Sequence, residues 1–447
     1  MKKRFLAVLL GIAMVGSILG GCTQTKETQE NTTKANSSEG STGQDETGEV
    51  VSLTVGYPTS FNPEAFKGVA ELAKQKLNID IVLQPFSDAD ETALRSLLAS
   101  GEMPDMLLYN SGSLLKRINP SQYFMDLSSN ESLMNRLDDT FKNAVTVDGA
   151  IYGVPQASSM AGGVLYNKVI YDKYNLEVPK TWSDFLANCE VLKNAGETAV
   201  IGSFGTSWTS QVVFLADYYN ITAEVPDFSQ QFEAGKLKYE STPIAVRSFE
   251  KYEDMIPYYN EDSAVATYED ACAMLADGTG AHYFMLTQAL SNINSLYGEE
   301  VTNNIGFFAV PGDNAQSNGM TVWPSNGIYV NKDSSKTEAI MRFLEFYISD
   351  EGLNKYSLLQ APTGPFHVVG YTPNEKGYKA VKEDMQAYFD AGNTALAQEY
   401  ETSVKGSGAE SICVEVATGQ VSGKEAAKKY DIDCYKQAIQ LGLNWDK

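Results

Sequence analysis

The sequence predicts an α/β protein built as two compact bodies with a pliable crossing between them. Strand-like and helix-like segments alternate from Val51 to Tyr109, the pattern of a parallel sheet with right-handed helical connections. About 400 residues follow a polar amino-terminal stretch, too many for one simple core. The stretch Ile151 to Trp182, IYGVPQASSMAGGVLYNKVIYDKYNLEVPKTW, joins short apolar pieces through the small-residue run Ala157–Gly163. Its glycines permit backbone angles that other residues avoid, and the run is expected to cross between the bodies beside a ligand.

In order, Met1-Lys2-Lys3-Arg4 and the apolar run Phe5–Leu19 read as an export signal. The run is shorter than the roughly 20 residues that span a bilayer. Leu19-Gly20-Gly21-Cys22 resembles a lipobox, which implies cleavage before Cys22 and diacylation of its thiol. An uncleaved membrane anchor is the other reading, and both place the protein outside the cytoplasmic membrane. Residues 23–49 are almost devoid of apolar side chains. Such a segment does not offset its chain entropy by burial, so a disordered tether spanning about 30 Å is expected.

Val51-x-Leu53-x-Val55 alternates as a first strand, followed by a loop carrying Tyr57 and Phe61. Phe66, Val69, Ala70, Ala73 and Leu77 share one face of a helix over 64–77. Ile79-x-Ile81-x-Leu83 is a second strand, a helix bearing Leu94, Leu97 and Leu98 comes next, and Met106–Tyr109 is a third strand. In open α/β sheets, ligands gather at the carboxyl ends of the strands. That puts Tyr57, Phe61, Tyr109, Asn110 and Ser111 on one rim. Thr181-x-x-Asp184 reads as a capping pair for a helix over 182–195. Trp208 lies in the Gly- and Ser-rich loop 202–210, residues 222–275 are helix-rich, and Ala281–Leu286 is a strand. Trp323-Pro324-Ser325-Asn326-Gly327 leads into a strand at Ile328–Val330, an apolar-faced helix covers Glu338–Ile348, and a last helix runs to Leu441.

The segments YGVP…LYNK…Y…LEVPKTWSDF (152–185) and LLASGEMPDMLLYN (97–110) resemble the family 1 extracellular solute-binding proteins of ABC importers, the group that includes maltodextrin-binding proteins. The resemblance runs, with gaps, from about Val51 to Ile439. It implies the type II periplasmic-binding-protein fold: two lobes, each a central, mainly parallel sheet flanked by helices, joined by three crossings. The expected division is a signal peptide at 1–21, a tether at 22–49, a first lobe at 50–157 plus 313–361, and a second at 158–312 plus 362–447. The second and third crossings are expected at Ile305–Pro311 and near Ala361–Pro365. It also implies a non-enzymatic receptor that closes on a ligand and delivers it to permease subunits.

Sugars present hydroxyl edges and apolar ring faces, which call for polar groups and aromatic rings respectively. The resemblance places Trp208 where maltodextrin-type relatives stack an aromatic on a sugar ring. It also adds Trp323 and Asn326 to the rim. Two departures stand out. Leu286-Thr287-Gln288 replaces a Gly-x-Trp, so one stacking ring is either absent or replaced by Tyr283 or Phe284. Gly112-Ser113 replaces a charged pair, so the ligand's hydroxyls are held differently. The expected ligand is an uncharged carbohydrate, an oligosaccharide, bound by a monomer. A surface glycan-degrading enzyme and a receptor for a non-sugar solute are the alternatives.

The net charge, 34 − 57 = −23, disfavours nucleic acid, which needs a basic footprint. No cofactor motif is present, and paired tyrosines at 218–219 and 258–259 lack the histidine and carboxylate spacing of an iron site. Cys189 and Cys272 are expected as buried thiols. Spacing leaves open whether Cys413 and Cys434 pair.

Overall fold

A computed structural model describes residues 50–59, 61–86, 91–371 and 377–446. The expected signal peptide, lipobox and tether lie outside the described residues. The strands of the two main sheets, in chain order, are β1 (Val51–Pro58), β2 (Ile79–Phe86), β3 (Met106–Tyr109), β4 (Gly153–Pro155), β5 (Met160–Asn167), β6 (Thr198–Val200), β7 (Gly280–Leu286), β8 (Ile305–Phe308), β9 (Met320–Trp323), β10 (Gly327–Val330) and β11 (Thr394–Leu396), with a separate two-stranded hairpin at Thr146–Val147 and Ala150–Ile151.

They form two separate sheets, ordered β2-β1-β3-β10-β4 and β11-β9-β5-β7-β6, with β8 pairing β5 as well. The strands β1, β2 and β3 are parallel, in register from Val51 opposite Ile79 to Pro58 opposite Phe86. The helix Glu64–Leu77 connects β1 to β2 and buries Phe66, Val69, Ala70 and Ala73, the face the 3.6-residue spacing marks out. It ends at Asn78, whose φ of 56° is a left-handed stop that asparagine tolerates. The helix Trp182–Asn194 opens with the expected capping box, the Thr181 hydroxyl and the Asp184 carboxylate each accepting from the other's backbone N–H. The helix Thr337–Tyr347 buries Ile340, Phe343 and Leu344 in the first core.

The sheets are more mixed than the mainly parallel ones expected. The strand β10 runs antiparallel to both β3 and β4, and β5 runs antiparallel to β7, β8 and β9. A chain that re-enters a sheet from the other body arrives at the rim where β3 ends, so it must run back down.

The apolar core divides along the same line. Leu53, Val55, Leu107, Val154, Ile328 and Phe343 belong to one cluster. Val164, Phe185, Phe249, Phe284, Phe307 and Val322 belong to the other. This shifts two expected boundaries. Ile305–Phe308 is a strand bonded to β5, not a crossing; β9 stays in that sheet too, and the chain passes over at Pro324–Asn326. Thr363–Pro365 lies against Ser158 and Ser159, with Thr363 N donating to Ser158 Oγ at 3.0 Å and Ser159 N to Pro365 O at 2.7 Å. Phe366 and Val368 then return to the first core, and Tyr378 is in the second. The third passage is therefore complete only beyond Val368.

The small-residue run is corrected as well. Met160–Gly163 is the start of β5 rather than an open linker. A Cβ on Gly162 would stand 2.6 Å from the Trp323 ring, and one on Gly163 2.6 Å from the Phe307 ring and the Phe308 carbonyl. Glycine is needed there for room, so that large rings can lie flat on the central strand.

Candidate functional site

Strand direction alone assembles one rim on each body. In the first sheet, β1 and β3 end at Pro58 and Tyr109, β10 begins at Gly327 opposite Tyr109, and β4 ends at Pro155 opposite the same Gly327. In the second, Trp323 at the end of β9 faces Met160 at the start of β5. Leu286 closes β7, and Leu396 closes β11 opposite Val322.

Two crossings tie these rims together. The Ser325 hydroxyl accepts from Gln156 N at 3.0 Å and Ala157 N at 2.9 Å, and Gln156 N also donates to Asn326 O at 2.9 Å. Ser111 Oγ donates to Ser325 O at 2.9 Å.

A cleft of about 290 Å³ opens where the rims face each other, with Asn110, Ser111 and Arg117 on one side and Glu399, Thr402 and Lys405 on the other. Glu399 is held through both carboxylate oxygens. One carboxylate oxygen accepts from the Trp323 indole N–H at 2.6 Å, and the other pairs with the Lys405 ammonium. Its neighbour Glu401 is half-buried and accepts from the Tyr218 hydroxyl at 2.8 Å; partial burial raises its carboxyl above the ordinary value.

The residues marked out in the sequence divide by depth. Tyr57 and Phe61 are half-buried on the first rim, edge to face with centroids 6.3 Å apart. Asn110 and Asn326 are half-buried beside them, and the backbone oxygen of Asn110 accepts from the Tyr329 hydroxyl at 2.9 Å. Tyr109 is largely drawn into the first core. Trp323 is 5% exposed and offers little more than an edge while Glu399 holds it. Trp208 is half-buried in the turn Ser207–Gln211, its ring tilted against Tyr268 at 5.3 Å. Tyr283 is a core residue. It is 2% exposed, its hydroxyl bonds Ser203 Oγ at 2.8 Å, and burial holds the phenol well above its ordinary pKa. It does not replace the missing ring.

Sequence reasoning missed Glu399, Tyr400 and Lys405, and marked Ser113 only as part of a replaced charged pair. They lie in short polar elements without periodicity, and only the turn of the chain after β11 brings 399–405 to the mouth. The four described cysteines are buried free thiols, so Cys413 and Cys434 are unpaired. Among the described residues no group of three or more His, Cys, Asp or Glu is placed to hold a metal ion. No described helix is long and apolar enough to cross a membrane.

The profile of bacterial extracellular solute-binding proteins matches residues 60–353. The chain belongs to that family. An ABC transporter extracellular-binding protein of Pyrococcus horikoshii is 26% identical over 323 residues, covering 70% of this chain and 71% of that one. The multiple sugar-binding protein of Streptococcus mutans is 22% identical over 304 residues, covering 65% and 69%. Among solved structures, a bacterial solute receptor with an exclusive preference for β-D-galactopyranose superposes with a TM-score of 0.71 at 15% identity, over 88% of this chain and 99% of that one. The ligand-free RafE of Streptococcus pneumoniae gives 0.70 at 18% identity, over 88% and 99%. RafE with bound raffinose gives 0.68, also at 18%, over 86% and 100%. At these identities the structural likeness carries the fold. This solute-binding protein is thus an extracellular component of the ABC-transporter type with the two-lobed α/β architecture, and the relatives it matches are solute-binding proteins rather than enzymes.

Proposed function

We propose that this solute-binding protein captures an uncharged carbohydrate, an oligosaccharide, between its lobes and delivers it to permease subunits without altering it. The observation that carries the reading is the mouth itself. Asn110, Glu399 and Lys405 line it and offer the donors and acceptors that hydroxyl groups need; the half-buried rings of Tyr57, Phe61 and Trp208 and the amide of Asn326 are the further groups we assign to the sugar's faces and edges. The names of the Streptococcus relatives, a multiple sugar-binding protein and a raffinose complex, support the same class. The mature protein acts as a monomer on the outer face of the cell membrane, held by lipid on Cys22 and reaching the permease on its polar tether.

A thermal-shift screen against mono- and oligosaccharides tests the reading. A solute at a hundredfold excess over its dissociation constant adds about 2.7 kcal/mol to the folded state, which appears as a raised melting temperature. The substitution Trp208→Ala is expected to abolish that rise. No response to any saccharide, or new reducing ends in the incubated mixture, overturns the proposal.

A further inference from the structure

The lobes also meet beside the Pro324–Asn326 crossing, through the segment Gln398–Lys405. This segment is anchored on the second lobe at every turn. The Tyr239 hydroxyl donates to Gln398 Oε1 at 2.6 Å, and the Tyr218 hydroxyl donates to Glu401 Oε2 at 2.8 Å. Ser403 Oγ donates to Glu233 Oε1 at 2.6 Å. Glu399 is fixed between Trp323 and Lys405. Held this way, the segment presents its backbone to the first lobe.

There it meets a seat shaped for it. Ser113 Oγ, on the short helix after β3, donates to the Glu399 carbonyl at 2.5 Å. Gly112 lies against Tyr400: a Cβ at Gly112 would be 2.7 Å from Tyr400 Cα and 2.6 Å from its ring. Gly112 also has φ +68°, a region costly for any residue with a side chain. Its own N–H is fixed to Ala144 O at 2.6 Å. The turn therefore lacks a side chain for two independent reasons, conformation and contact with the opposite lobe.

We propose that Gln398–Lys405 is a clasp that holds the two lobes together at the mouth before any solute arrives. The contact uses protein atoms alone, so it favours the arrangement of the lobes in which it forms, whatever solute the cleft takes. An incoming solute then meets a receptor whose closed form is already populated and loses less affinity to closure. The clasp does not depend on the carbohydrate reading.

Small-angle scattering of the solute-free protein tests the clasp. The double substitution Ser113→Ala/Tyr400→Ala removes the hydrogen bond and the ring, which packs on the margin of the second core. It is expected to lower the closed-to-open ratio about tenfold, seen as a larger radius of gyration and a broader interlobe distance distribution. Ser113→Ala alone shifts both in the same direction by less. Unchanged far-ultraviolet circular dichroism establishes that the variants are folded. Superimposable scattering curves for the wild type and the folded double variant would overturn the clasp.

Discussion

Two carboxylate–lysine pairs in the second lobe differ in almost everything but chemistry. Asp217 and Lys251 are sealed in the interior, at 0% and 1% exposure; Glu399 and Lys405 sit at the mouth, at 26% and 32%. The inner pair is fully satisfied. The Lys251 ammonium reaches Asp217, donates to Pro311 O at 2.8 Å and stands 5.0 Å over the Trp182 ring. The second Asp217 oxygen accepts from Ser248 Oγ at 2.6 Å, and Asn220 Nδ2 donates to the first at 2.7 Å. Burial still pulls the Lys251 ammonium below its ordinary pKa, despite the opposite charge beside it. Such a pair leaves no donor or acceptor for a solute. The outer pair has water on one side and can exchange partners, which suits a group that handles ligands.

Breaking one member of each pair gives the largest contrast. Lys251→Met leaves Asp217 buried without its cation and is expected to cost about 3–5 kcal/mol, read as a fall in the urea midpoint. Replacing Asp217 and Lys251 together with apolar residues of similar volume is expected to cost less.

Asp431 sharpens the comparison, being buried yet held by amides rather than by a lysine. It accepts from Tyr239 N at 2.9 Å and Glu240 N at 2.7 Å. Burial outweighs these bonds and pushes its carboxyl up to about 6. The folded state then holds the proton more tightly than the unfolded chain. Its contribution is complete below about pH 4 and is lost as pH rises through about 6, by at most about 3 kcal/mol. Urea midpoints at both ends of that window should differ between the wild type and Asp431→Asn by an amount that shrinks as pH rises. A pH-independent difference would mean that the amides set the carboxyl after all.

The smallest effect on stability is expected at the mouth. Glu399→Gln keeps an acceptor for Trp323 and breaks a half-exposed ion pair, costing less than about 1 kcal/mol. Its saccharide affinity, measured by calorimetry, should nonetheless fall about tenfold. A variant that loses several kcal/mol of stability instead would place Glu399 with the interior pair.

How much of this was legible varied with the periodicity of the segment. Val51–Leu83 could be read closely because alternation and the 3.6-residue stripe repeat over whole elements, and Thr181 with Asp184 announced a helix start through local chemistry. The start of β5 was hidden because Gly162 and Gly163 look like a linker until Trp323 and Phe307 are seen resting on them. The second crossing was misplaced because Ile305–Pro311 and Met320–Trp323 are both short apolar runs. Only their pairing with β5 shows that neither leaves the sheet. Depth was the least legible property. Trp208 and Tyr283 are both aromatic and both follow plausible motifs, yet Tyr283 is buried, its hydroxyl bonded to Ser203 in the loop after β6, while Trp208 is half-buried.

The link from β9 to β10 is three residues long, Pro324 to Asn326, and at full stretch covers only about 10 Å. Ser325 bonds it to the neighbouring strand connection. The halves are thus leashed tightly at this passage and can swing but not drift apart. A dye pair placed near Ser325 would be almost blind to solute, whereas one at the far tips would report the full arc, the placement a fluorescent sensor built on this protein needs.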